Sequence, residues 1–209
     1  MKFGVFYEHQ LPRPWTTTSE HDLLQQSLDQ FQFADQLGYD YAWVVEHHFL
    51  EEYSHSSAPE VFLGAASQRT KNIRLGHGVI QLTTNQPQRV AEKVATLDLL
   101  SGGRVDLGMG EAAGPAELHP FGVRVRDKRD RWEEAVQAII PMFTQDSWEF
   151  HGKYHDFPAR NVVPDDYCGW TPLVLFVGNP SVMTSASRCA ACASTTASTR
   201  ATKDSGSSA

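Results

Sequence analysis

The chain has 209 residues, of which 41% are hydrophobic and 21% charged, enough for one sizeable domain with an apolar core. Its formal net charge of −7 disfavours a phosphate backbone, so no nucleic-acid partner is expected. No apolar run approaches the roughly 20 residues that cross a bilayer, and the opening MKFGVFYEH lacks the long apolar stretch and cleavage site of a signal peptide, so a cytoplasmic protein with no membrane partner is expected.

The predicted elements run in a regular order. Lys2 to Tyr7, with Phe3, Val5 and Phe6, reads as a buried strand. Thr18 or Ser19 can cap a helix that reaches Leu37, carries Leu24, Leu28, Phe31 and Ala34 on one face, and stops at Gly38. Tyr39 to Val45 is a second strand. Ala58 to Thr70 is a helix with Pro59 in its first turn, where a missing N–H costs nothing. Ile73 to Leu82 is a third strand, Pro87 to Leu100 a helix, and Arg104 to Met109 a fourth strand. A helix follows from Asp127 to Phe143, with Trp132, Ala135, Val136, Ile139 and Ile140 as a core-facing stripe. Trp148 to Phe157 holds two short extended pieces joined around Gly152, and Pro172 to Val177 is a fifth strand.

Strands alternating with helices imply a parallel sheet with helical crossovers. A dinucleotide-binding sheet would carry glycines directly after its first strand, whereas EHQLPRPW follows Tyr7. The expected fold class is therefore α/β, a (β/α)8 barrel of the TIM type. It is incomplete, with about five strands present against the eight units and about 250 residues of a full barrel. Barrel chemistry sits in the loops after the strand C-termini, here Glu46 to His55, Gln81 to Gln86 and Gly110 to Gly122. Residues 1–180 form the expected barrel portion. From Ser181 onward, 20 of 29 residues are Ser, Ala or Thr, with no Leu, Ile or aromatic residue. Residues 181–209 therefore read as a disordered tail, or as out-of-frame translation of a truncated gene. Cys168, Cys189 and Cys192 do not make a disulfide framework, and the C-x-x-C of the last two lies in that tail without a second ligand pair.

Several segments, in order, carry a family resemblance over residues 1 to about 180. They are MKFGVFYEHQLP, then GYDYAWVVEHHF, then IRLGHGVIQLTTNQPQRVAEKVATLDLLSGGRVDLGMGEAAGPAELHPFGV. Together they resemble the bacterial-luciferase-like flavin-dependent monooxygenases. The resemblance implies that His47 is the catalytic histidine beside the flavin and that Glu46 helps organise the pocket. An imidazole there can hold or relay the proton that decides the fate of the oxygen chemistry. The residues themselves also allow a polar loop or a metal site, but adjacent His47 and His48 point to opposite faces of a strand and cannot easily share one ion; no metal is expected.

The resemblance further implies that backbone at Gly78 and Val79 packs against the flavin ring, with a cis peptide between them. It places the FMN phosphate near Gly110 and Glu111 and near Asn179 and Ser181. Some relatives carry an arginine where this chain has Glu111, and a carboxylate beside a phosphate is unfavourable unless it faces away or caps a helix. Trp15, Phe49 and Tyr53 are candidates for a substrate mouth or for loop packing, and Asp98 and Arg104 for a structural pair. The implied activity is an oxidoreductase that takes reduced FMN from a separate flavin reductase, with dioxygen, and oxygenates a small organic substrate. A deazaflavin is the alternative cofactor and a homodimer the expected assembly. A different class of reading is an inactive, truncated barrel fragment that acts only through association, because five strands leave an open edge on each side. A hydrolase ranks last, since no nucleophile elbow or pair of carboxylates at strand ends is present.

Overall fold

The computed structural model describes residues 1–164. Four strands, β1 (Gly4–Tyr7), β2 (Tyr41–Val44), β3 (Arg74–Gln81) and β4 (Val105–Gly110), form one sheet in the order β1-β2-β3-β4. Every pairing is parallel, beginning with Gly4 opposite Tyr41, Tyr41 opposite Arg74 and Leu75 opposite Val105. The crossovers are α1 (Ser19–Gln36), α2 (Pro59–Arg69) and α3 (Pro87–Ser101). The short α4 (Pro115–Leu118) and α5 (Lys128–Ile139) follow β4. A two-stranded antiparallel ribbon of β5 (Trp148–His151) and β6 (Asp156–Arg160) then closes the described part. This is an α/β arrangement with a four-stranded parallel sheet, consistent with an incomplete barrel. The fifth strand expected at Pro172–Val177 and the boundary expected at residue 180 lie outside the described residues.

Local chemistry sets the element ends. Pro59 and Pro87 open α2 and α3, where the ring fixes a helical φ and no intrahelical donor is lost. α3 stops at Gly102, whose φ of 69° is left-handed, and the N–H groups at this turn return to Asp98 and Leu99. The helix expected to run on to Phe143 ends as an α-helix at Ile139 and tightens into a 3-10 turn over Ile140–Phe143, where Pro141 cannot donate to the preceding turn.

One face of the sheet packs under the helices. Ala42, Val44, Leu75, Val105, Leu107 and Met109 meet Phe31, Leu63, Ala66, Val90, Val94 and Ile139 there, all of them buried. The other face carries Phe6 and Trp43. The Trp43 ring lies over Gly76 so closely that a Cβ at residue 76 would fall 2.1 Å from it. The expectation of a buried first strand is corrected at this point. Among the described residues β1 pairs with β2 alone, Val5 and Tyr7 pack against the core, and Phe3 and Phe6 remain 59% and 57% exposed. No helix among the described residues is long and apolar enough to cross a membrane.

Two hydrogen-bond networks tie the crossovers to the sheet. Arg104, just before β4, donates to the carbonyls of Ser67, Thr70, Ile73 and Ser101 and to the Thr70 hydroxyl, so one guanidinium joins the ends of α2 and α3. Asp98 accepts the N–H of Val105. Asp35 at the end of α1 accepts the N–H groups of Lys71, Asn72 and Ile73, which sets the entry into β3.

Candidate active site

Parallel strands bring their C-terminal ends to one rim, and here that rim opens on a cavity of about 500 Å³. β1 supplies Phe6 and, just beyond its end, Glu8. The extension of β2 supplies Val45, Glu46 and His47, and β3 supplies Gly78, Val79 and Gln81. Glu111, Ala112 and Ala113 line it from the loop after β4, with Tyr53 and Lys128 completing the wall. The Gly78–Val79 peptide is cis, and the β3–β4 register shifts between His77 and Ile80.

Of the residues singled out from sequence, His47, Glu46, Gly78, Val79 and Glu111 all border this cavity. Gly110 does not line it. A Cβ on Gly110 would lie 2.3 Å from a methyl of Val79, so the glycine lets β4 approach the residue that does line it. Asn179 and Ser181 lie outside the described residues, as do the three cysteines. Of the aromatic candidates, Tyr53 borders the cavity and sits edge-on to the His47 ring at 5.2 Å. Trp15 instead packs against His55 and Arg13, and Phe49 lies beside His48 and Phe121.

The two adjacent histidines go to different carboxylates. His47 Nδ1 lies 2.9 Å from Glu117 Oε1, and its Nε2 lies 3.6 Å from Oε2 of Glu8, another residue of the cavity wall. His48 Nε2 lies 3.0 Å from Glu46 Oε1. The buried Glu46 carboxylate also accepts the Gln81 N–H at 2.7 Å and the Asn85 side-chain amide at 2.9 Å, while its backbone carbonyl accepts from the Gln81 amide. Glu46 thus joins the loops after β2 and β3, and its side chain is not the partner of His47.

That partner, Glu117, escaped the sequence reading. It sits on α4, one turn after Gly114-Pro115, and is 1% exposed. Its Oε1 also accepts the His48 N–H at 3.1 Å and the Gln81 amide at 2.7 Å, and its Oε2 accepts the Ala113 N–H at 3.2 Å. Burial alone pushes this carboxyl up, but the donors from His47, Gln81 and His48 outweigh it and hold it below the usual range. The group is therefore an anion at neutral pH. Glu8, also missed, raises the phenol of Tyr53 through its charge, with burial adding to the effect.

Glu111 faces two cations, with Arg129 at 3.0 Å and Lys128 at 3.6 Å. Lys128 also donates to the Ala112 carbonyl. The acidic residue that departs from the expected pattern is thereby neutralised, and Lys128 places positive charge on the cavity wall.

A parallel sheet whose strand ends gather a histidine, buried carboxylates and bare backbone around one cavity defines an α/β protein of the barrel class with a pocket at the catalytic face. The family model described as luciferase-like monooxygenase matches residues 1–200, and the chain belongs to that family. It is 38% identical over 123 residues to 4-hydroxyprotoasukamycin monooxygenase of Streptomyces nodosus subsp. asukaensis, a stretch that is 59% of this chain and 33% of that protein. The crystal structure of monooxygenase RslO1 from Streptomyces bottropensis superposes with a TM-score of 0.78 at 30% identity, covering 84% of this chain and 53% of that one. The oxygenating constituent of 3,6-diketocamphane monooxygenase from Pseudomonas putida, a type II Baeyer–Villiger enzyme solved in complex with FMN, superposes at 0.74 with 22% identity and shares the fold, covering 84% of this chain and 51% of that one. The chain thus spans about half the length of these solved proteins, and less of the curated relative.

Proposed function

We propose that this rim is the flavin-facing part of a monooxygenase site. In this reading reduced FMN from a separate flavin reductase, with dioxygen, oxygenates a small organic substrate. The observation that carries the proposal is the placement of the His47 imidazole and the bare Gly78–Val79 backbone on the walls of one cavity. The cavity's size, about 500 Å³, falls in the roughly 300–1,000 Å³ range of cofactor sites. Gly78 supports a flat ring at close range, because a Cβ there would reach 3.1 Å from the Phe6 ring and narrow the gap between β1 and β3.

Reduced flavin, when bound, supplies the electrons that split dioxygen between the substrate and water. The chain's own residues do the rest. Phe6, Val79 and Tyr53 would offer apolar surface to the ring and substrate. His47 Nε2 takes or returns a proton on the cavity side. Lys128 meets the anionic end of the cofactor and offsets Glu111. A second copy of the chain is the expected partner.

Titrating the full chain with FMN, with reduced FMN under anaerobic conditions and with a deazaflavin tests this directly. Flavin fluorescence should be quenched on binding, the G78V variant should bind at least ~10-fold more weakly, and H47Q should bind but lose about 10²–10⁴ in turnover. Binding of the deazaflavin alone would move the chemistry to hydride transfer without oxygen. If none of the three binds, the flavin reading is wrong.

A further inference from the structure

The geometry points to Glu117 as the positioning residue for His47. In this arrangement it fixes the imidazole as the Nδ1–H tautomer, so that the Nε2 lone pair is the base presented to the cavity. This deepens the flavin-site reading in one respect, since it matters for turnover only if His47 handles a proton there. The tautomer itself does not depend on any bound flavin.

Three observations carry it. Glu117 is 1% exposed and anionic, and its Oε1 sits 2.9 Å from His47 Nδ1. A buried carboxylate can only accept, so the shared proton belongs to Nδ1. Glu117 is in turn immobilised by donors from three different segments, the His48 N–H, the Gln81 amide and the Ala113 N–H. These bonds leave its position little freedom, and the ring it holds inherits that restraint. Finally, Nε2 lies 3.6 Å from Glu8 Oε2, beyond hydrogen-bond reach, whereas the Nδ1 contact to Glu117 is a hydrogen bond, so the nearer carboxylate decides which nitrogen keeps the proton. A proton arriving on Nε2 from the cavity forms an imidazolium with a carboxylate on each side. The balance is simple: the lone pair of Nε2 takes the proton, Nδ1 keeps its own, and a donor in the cavity loses one.

A merely structural Glu117 would staple loops without choosing the tautomer. The two roles separate by nitrogen NMR of the flavin-free full chain labelled at histidine, with His47 assigned by its absence in H47Q. In alkaline buffer the wild type should show His47 protonated at Nδ1 and bare at Nε2, outnumbering the other form by about tenfold or more. E117D, which keeps the charge, should preserve this. E117Q should raise the Nε2–H form severalfold, because its amide can also donate to Nδ1. Q81A removes a different partner of Glu117 and loosens the same loops, yet should leave the tautomer in place. The proposal is overturned by a wild-type ring protonated at Nε2, by an E117Q spectrum equal to the wild type, or by Q81A losing the tautomer as E117Q does. If E117Q fails to fold, the wild-type and Q81A spectra still decide. A chain that binds no flavin but shows the Nδ1–H form would sink the functional reading and leave the positioning role standing.

Discussion

At the scale of single residues, the glycines of β3 and β4 show how closely the strands are fitted. A Cβ on Gly108 would fall 2.2 Å from the backbone oxygen of His77, and backbone cannot swing aside as a side-chain tip can. G108A should therefore cost about 1–3 kcal/mol by overpacking. G114A is the matched control, since nothing lies within 4 Å of the added atom and the φ of −151° suits any residue. A shift in urea midpoint for the first and almost none for the second is the expected result. Equal midpoints would mean that the β3–β4 contact is looser than these distances imply. The same scale shows the limit of the sequence. His47 and Glu46 are legible because they follow a strand in a segment with family-like spacing. Glu117 is not, because its partner lies 70 positions earlier in the chain and only the fold of the loop after β4 brings the two together. A carboxylate after Gly-Pro on a single turn of helix carries no local mark of burial, and Glu8 likewise gains its meaning only from what stands opposite it.

At the scale of elements, the alternation of strands and helices was readable because both periods are strong: the apolar face of α1 at Leu28, Phe31 and Ala34, and the short apolar runs of β2, β3 and β4. The burial of β1 was not readable. Its pattern of aromatic residues matches a covered strand, and what decides exposure is the neighbour on either face, which sequence does not supply. How the elements lock together was also hidden. The guanidinium of Arg104 satisfies carbonyls at the end of α2, in the turn before β3 and at the end of α3. Burial lowers its pKa against the opposing charge of Asp35, with Arg74 adding to the lowering, yet it stays charged at any physiological pH. Replacing it with Met keeps most of the stem but strands those acceptors. R104M should lower stability by roughly 2–4 kcal/mol, with faster amide exchange concentrated at residues 67–73 and 101–105. Exchange that rises evenly along the chain would show that the residue does not act as a local lock.

At the scale of the whole molecule, buried histidines, among them His9 and His77, contribute to how the fold responds to acid. His9 and His77 are 3% and 0% exposed, and burial lowers each to about 4 from the ordinary 6.5. His9 has neither ring nitrogen hydrogen-bonded among the described residues and lies edge-on to Phe62 at 4.7 Å. His77 packs in the sheet with the Glu60 carboxylate near enough to offset part of the burial effect. Between pH 6.5 and about 4 the unfolded chain takes up protons on both rings while the folded chain does not. The unfolded state then binds more protons, so unfolding free energy rises with pH across this window. The stabilisation is full above 6.5 and is used up by about 4, amounting to on the order of a few kcal/mol for the pair. Glu117 acts in the same sense at lower pH: its depressed carboxyl contributes stability above the ordinary carboxylate range, and that share is lost as pH falls through the folded value. Urea midpoints of the full chain should therefore fall steadily from pH 7 to pH 4, and the decline should be shallower in H77L, which removes one site of differential uptake while filling a similar volume. An H77L curve parallel to the wild type would show that this ring already finds its proton in the folded state, and that the acid sensitivity arises elsewhere.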